Sequence, residues 1–231
     1  MPAEEQRLAA FPPGAAAATF LFADIAGYTA LTEAHGDEQA ADLVAEFFNA
    51  VSEELPAWGG THVKTIGDAL MLRIPDAAKA VPLGLRIAHE LLRGHGAPAV
   101  RVGLHHGPAI ERDGDYFGAA VNLAARVAAV ATGGEVLLTA HTAALASALD
   151  GIFYQSRGRQ TLRNIREPIE LFAAIPQGQS VRGKLPIDPV CQMAVAPEHA
   201  VGRLIFEETA YFFCTLTCAA EFARHPERFL G

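Results

Sequence analysis

From Thr19 to Ile25 the chain reads Thr-Phe-Leu-Phe-Ala-Asp-Ile, an apolar run that closes on a carboxylate before Gly27. Such a run predicts a buried strand ending in an acid. Apolar residues then recur at three- and four-residue spacing, Ala40, Leu43, Val44, Phe47, Phe48, Val51 and Leu55, until Pro56. That period predicts a helix capped by Asp37 and laid against a sheet. Two further apolar runs, 61–66 and 69–74, flank Gly67-Asp68 and predict a hairpin with a tight turn. A second helix over 77–93 and a strand over 99–105 complete a βαββαβ order, the ferredoxin-like pattern of an α+β domain.

A helix over 119–130, a strand over 135–138, a helix after Thr139 and apolar segments ending at 169–175 extend the same domain. Residues 1–15, rich in Pro, Ala and charge, predict a flexible lead-in, and 16–176 a first domain. The polar, glycine-containing stretch 177–184 predicts a linker, leaving 185–231 for a small second module. At 231 residues with 51% apolar content, the chain is long enough for one large and one small core.

A net charge of −8 with no basic run argues against nucleic-acid binding, which depends on clustered cations releasing counterions. Apolar stretches break before the roughly 18 residues a membrane helix requires, so no membrane insertion is expected. No basic segment followed by an apolar core opens the chain, which predicts a cytoplasmic location. The three cysteines all lie beyond residue 190, an odd number that speaks against a disulfide framework.

Asp24 and Asp68 each stand beside a glycine at the end of a predicted strand, and the βαββ order can bring those ends together. Asp beside Gly also suits a simple turn. Paired carboxylates, however, are what hard divalent cations take together with substrate phosphates. Asn122 and Arg126, four apart, share one helix face. His105 and His106 fall at a strand end, where packing or hydrogen bonding is the ordinary role.

Three segments in series, Phe22-Ala23-Asp24-Ile25-Ala26-Gly27-Tyr28-Thr29, Lys64-Thr65-Ile66-Gly67-Asp68 and Asp115 through Arg126, resemble the motifs of the class III adenylate and guanylate cyclases. The resemblance spans most of 16–176 and implies a cyclase core that works as a homodimer with interfacial active sites. It implies that Asp24, Asp68 and the backbone carbonyl of Ile25 bind two Mg²⁺ or Mn²⁺ ions per site. Lys64 and Asp115 resemble the purine-reading pair of members acting on ATP: an ammonium donates to adenine N1 and a carboxylate accepts from the N6 amine. Asn122 and Arg126 resemble the residues that position the ribose and stabilise charge on the transferring phosphorus. Arg163 stands where the family often carries a triphosphate-binding lysine.

The C-terminal segment, with Asp188-Pro189-Val190-Cys191-Gln192-Met193, Tyr211-Phe212-Phe213-Cys214, Cys218, Phe222 and Pro226, resembles the YHS family, with Gln192 where many relatives have glycine. Cys214 and Cys218 are one helical turn apart, so both thiolates can face one thiophilic ion, Zn²⁺ or Cu⁺, with Cys191 delivered from elsewhere. His199 and His225 are candidates for a fourth ligand, and the cysteines equally suit a role as small buried apolar groups. The combined expectation is an adenylate cyclase that converts ATP to cyclic AMP in intracellular signalling. The alternatives are a catalytically weak nucleotide-binding dimer and a metal-sensing protein that uses the fold as a dimerisation platform.

Overall fold

A computed structural model describes residues 16–92, 96–177 and 185–230. The expected lead-in, and all but the first residue of the expected linker, lie outside these residues. The first half runs β1 (Ala16–Ile25), α1 (Tyr28–His35), α2 (Asp37–Glu54), β2 (Thr61–Ile66), β3 (Ala69–Ile74), α3 (Ala77–Arg86), β4 (Val100–Arg112) and β5 (Asp115–Phe117). It continues with α4 (Ala119–Val130), β6 (Val136–Thr139), α5 (Ala140–Leu145), β7 (Ile152–Gln160) and β8 (Ile169–Pro176). The main sheet has the order β2-β3-β1-β4-β6-β8-β7, with β5 folded back on β4. Its β2-β3-β1-β4 part pairs antiparallel throughout, as a βαββαβ unit requires, and the parallel β4–β6 pairing makes the sheet mixed.

Alternation along β1 sorts its side chains between two cores. Leu21, Ala23 and Ile25 join Phe47 and Val51 of α2 and Val81 and Leu83 of α3. Phe20 and Phe22 turn to the opposite face and meet Ala120, Ala124 and Ala128 of α4. Alanine at every fourth position lets α4 lie very close to the sheet. At Gly103 of β4 an added Cβ would stand 2.1 Å from the Ala128 backbone nitrogen. Gly103→Ala should therefore push α4 off the sheet and cost on the order of 3 kcal/mol. Urea unfolding read by circular dichroism should show a lower midpoint; a midpoint equal to wild type would contradict this packing.

Several details depart from the sequence pattern. The second helix stops being α-helical at Arg86 and passes through one π-helical turn, Ile87–Leu91; Leu92 is extended, and Arg93 lies outside the described residues. Gly36, with φ 87°, caps α2, so Asp37 sits in the first turn, where its charge suits the helix N-terminus. Helix α1 went unread because it is only two turns long, held between Gly27 (φ 71°) and Gly36. The β4–β5 hairpin turns through Asp113 (φ 52°) and Gly114 (φ 80°), an Asp-Gly pair suited to a tight hairpin.

Beyond residue 185 come β9 (Gly202–Phe206), β10 (Thr209–Phe213) and α6 (Leu216–Arg224). Phe222 of α6 gathers Phe206, Tyr211, Phe213 and Phe229 around its ring. This segment is stitched to the sheet domain by backbone: Gly96 N donates to Ala194 O and Ala194 N to Ala97 O, both at 2.8 Å. Ala99 N donates to Gln192 O at 3.2 Å, two residues before Arg101. No helix among the described residues is long and apolar enough to cross a membrane.

Candidate active site

Antiparallel register decides what Asp24 meets. At the end of β1 it stands opposite Ala69 of β3 and Arg101 of β4. Cross-strand partners project to the same face, and the Arg101 guanidinium donates to Asp24 Oδ2, from Nε at 2.7 Å and also from Nη2. Asp68, in the β2–β3 turn just before Ala69, brings a second carboxyl to the same corner. Burial and then the adjoining Asp24 carboxylate push Asp68 up to about 6, with Arg101 partly opposing the shift. Ile25 is buried beside them, paired with Val100. Two carboxyls held this close, with one guanidinium bonded to Asp24, form a corner short of positive charge. A divalent cation would relieve it, so the residues present fit such a group.

The second group lies at the edge of the sheet. Lys64 of β2 pairs with Met71 of β3, which pairs in turn with Phe22, and so Lys64 projects on the α4 side. The Asp113-Gly114 turn swings Asp115 back toward it, and Lys64 Nζ donates to Asp115 Oδ2 at 2.6 Å. The Tyr116 backbone N–H donates to the other Asp115 oxygen at 2.7 Å. The lysine hydrogen bond, more than any other influence, holds the Asp115 carboxyl below its usual range. The ammonium also stands 5.5 Å from the Phe117 ring centroid. Both side chains remain partly open to solvent and able to receive a ligand.

Asn122 is exposed and Arg126 half-buried on α4, while Ala120, Val121, Ala124, Val127 and Ala128 hold that helix to the core. Among the described residues no carboxylate pairs with Arg126; Glu111, a candidate partner by sequence, instead accepts from the Tyr116 hydroxyl at 3.0 Å. Arg163 is exposed in the β7–β8 connection, which Leu162 anchors beside Val127 of α4. The Asp24–Asp68–Arg101 corner makes no hydrogen bond or ion pair with the Lys64–Asp115 group among the described residues. Arg101 was not foreseen from sequence, since only the register of β1 on β4 reveals it.

His105 and His106 are each held by a threonine. His105 Nδ1 lies 2.8 Å from Thr139 Oγ1 and His106 Nδ1 3.0 Å from Thr19 Oγ1. Burial, aided by the neighbouring His141 and His106, lowers His105 to about 4, so it is neutral near pH 7.

The chain belongs to the adenylate and guanylate cyclase catalytic domain family, whose model matches residues 13–174. A pH-sensitive adenylate cyclase of Mycobacterium tuberculosis is 36% identical over 163 residues, covering 69% of this chain and 41% of the relative. An adenylate cyclase of Streptomyces coelicolor is 35% identical over 117 residues, covering 51% of this chain and 31% of that protein. The chain thus spans well under half the length of these relatives. Among solved structures, the adenylyl cyclase CyaB of P. aeruginosa superposes with a TM-score of 0.61 at 23% identity, covering 72% of this chain and 97% of that one. A Trypanosoma brucei adenylate cyclase gives 0.63 at 25% identity over 71% and 89% of the two chains.

Proposed function

We propose that the protein is an adenylate cyclase, converting ATP to 3′,5′-cyclic AMP and pyrophosphate in intracellular signalling, from a cytoplasmic location. The observation that carries this reading is the Lys64–Asp115 contact at 2.6 Å. One donor and one acceptor are held together at the spacing of adjacent groups on a purine edge. An ammonium beside adenine N1 and a carboxylate beside the N6 amine are matched; guanine presents the opposite polarity at both positions. On binding, each side chain exchanges its partner for the base.

Asp24, Asp68 and the Ile25 carbonyl would hold Mg²⁺ or Mn²⁺, two ions per site, which lower the cost of ionising the ribose 3′-hydroxyl and offset charge on departing pyrophosphate. In the reaction the 3′-oxygen forms a bond to the α-phosphorus, the bond to pyrophosphate breaks, and the hydroxyl proton leaves to solvent. Arg126 presents a fixed cationic fork where charge builds on the phosphorus, Asn122 orients the ribose, and Arg163 meets the triphosphate. That the acid corner and the Lys64 group share no hydrogen bond or ion pair among the described residues supports a homodimer in which each site draws on both subunits. Exposed Ile66, Ile110 and Phe117, on the strands carrying Lys64 and Asp115 or beside them, support the same arrangement. Residues 185–231 are read as a YHS-type module on this enzyme.

Replacing Lys64 with Glu and Asp115 with Cys together should lower ATP turnover on the order of 10²-fold and shrink the ATP-over-GTP preference at least about tenfold. Parallel kcat/KM measurements on the two nucleotides check this. An unchanged preference would mean the purine is read elsewhere.

A further inference from the structure

Three sulfurs and one imidazole converge where the C-terminal segment meets the sheet domain. Cys191 Sγ lies 3.3 Å from Cys214 Sγ, Cys214 Sγ lies 3.8 Å from Cys218 Sγ, and His35 Nε2 lies 3.5 Å from Cys214 Sγ. All four ligand atoms fall within 4.8 Å of one another. His35 ends α1 of the catalytic domain, 179 residues before Cys214. We propose that His35, Cys191, Cys214 and Cys218 form a tetrahedral site for a thiophilic d¹⁰ cation, Zn²⁺ or Cu⁺, that clamps the C-terminal module onto α1.

The donor set and its spacing suit that ion. Zinc–sulfur bonds of about 2.3 Å and zinc–nitrogen bonds of about 2.0 Å give a tetrahedron with edges of about 3.8 Å between sulfurs and about 3.5 Å between sulfur and nitrogen. The Cys214–Cys218 and Cys214–His35 separations match those edges, the Cys191–Cys214 separation of 3.3 Å is shorter than the sulfur–sulfur edge, and small side-chain rotations close the rest. A disulfide between Cys191 and Cys214 would need about 2.05 Å, and all three cysteines are free thiols. The surrounding chain is built to hold the ligands. Buried Asp188 accepts from the backbone N–H groups of Val190 and Cys214, both at 2.9 Å, tying the Cys191 loop to the Cys214 strand end. Thr215 caps α6 by accepting from Cys218 N at 3.1 Å, which places the Cys218 thiol in the first helical turn. His225, by contrast, lies exposed beside Glu227, 3.7 Å away.

This seam adjoins the acid corner. Gln192, next to Cys191, packs over Gly27, where an added Cβ would stand 2.5 Å from Gln192 Cγ. Gly27 is the turn between Asp24 and α1, so a filled site would fix the helix that leaves the Asp24 strand.

The test uses the reduced 231-residue chain, with Zn²⁺ and Cu⁺ titrated separately without oxygen and Co²⁺ as a spectroscopic substitute for Zn²⁺. One equivalent of either ion per chain is expected, with tetrahedral Co²⁺ bands and thiolate charge transfer. His35→Ala should weaken Zn²⁺ binding at least about tenfold and shift the Co²⁺ bands, whereas His225→Ala should change neither. Zn²⁺ should also slow amide exchange in residues 28–35 of wild type, and this protection should be lost in Cys218→Ser. Failure to bind a stoichiometric ion of either kind, or a His35→Ala chain with wild-type affinity and spectrum, would overturn the proposal. None of these readouts depends on cyclase turnover.

Discussion

Asp24→Asn and Asp68→Asn should each reduce cyclic AMP formation on the order of 10³-fold, because each removes one anionic ligand from the corner that would hold the cations while preserving its shape. The effect on stability should run the other way for Asp68. Its carboxyl titrates near 3.8 when unfolded and is pushed up to about 6 in the fold. Between those values the folded state binds the extra proton, so stability falls as pH rises through this window. Asp68→Asn cannot ionise and escapes that loss. The cation-free variant should therefore melt above wild type at pH 7 and alongside it near pH 4. A variant that is both inactive and less stable at pH 7 would indicate a structural role for Asp68 instead.

Arg126→Ala should lower turnover about 10²- to 10³-fold, since Arg126 is half-buried and, among the described residues, has no carboxylate partner to compete with the transition state. The more telling experiment mixes it with Asp24→Asn. In a two-fold dimer whose sites take their acids from one chain and Arg126 from the other, each mixed dimer keeps one complete site. An equimolar mixture forms mixed dimers half of the time, so about a quarter of wild-type activity should return. Two dead variants that stay dead after verified subunit exchange would place each site within one chain.

Much of this arrangement was legible in the sequence because it is local. The Gly67-Asp68 turn between two apolar runs gave the β2–β3 hairpin with its limits, and the spacing of Asn122 and Arg126 put both on α4. Helix α1 was too short for its period to show, and β5 is three residues whose only signal is the Asp113-Gly114 pair before it. Partners far apart in the chain were invisible. Arg101 meets Asp24 across 77 residues through strand register, and His35 meets Cys214 where the segment beyond residue 185 packs on α1. A periodic pattern assigns a residue to a face; it does not say which other element covers that face. The expectation of a fourth ligand therefore fell on histidines near the cysteines in sequence, while the imidazole that stands beside the Cys214 sulfur is that of His35.

The most direct test of the central claim is product analysis. The purified 231-residue chain is incubated with ATP and Mn²⁺, with the Asp24→Asn variant in parallel and GTP as the competing substrate. Cyclic AMP and pyrophosphate should appear in equal amounts with wild type, fall to background with the variant, and exceed cyclic GMP formed under the same conditions. Wild-type protein that makes no more cyclic AMP than Asp24→Asn, or that makes cyclic GMP as readily, would contradict the account.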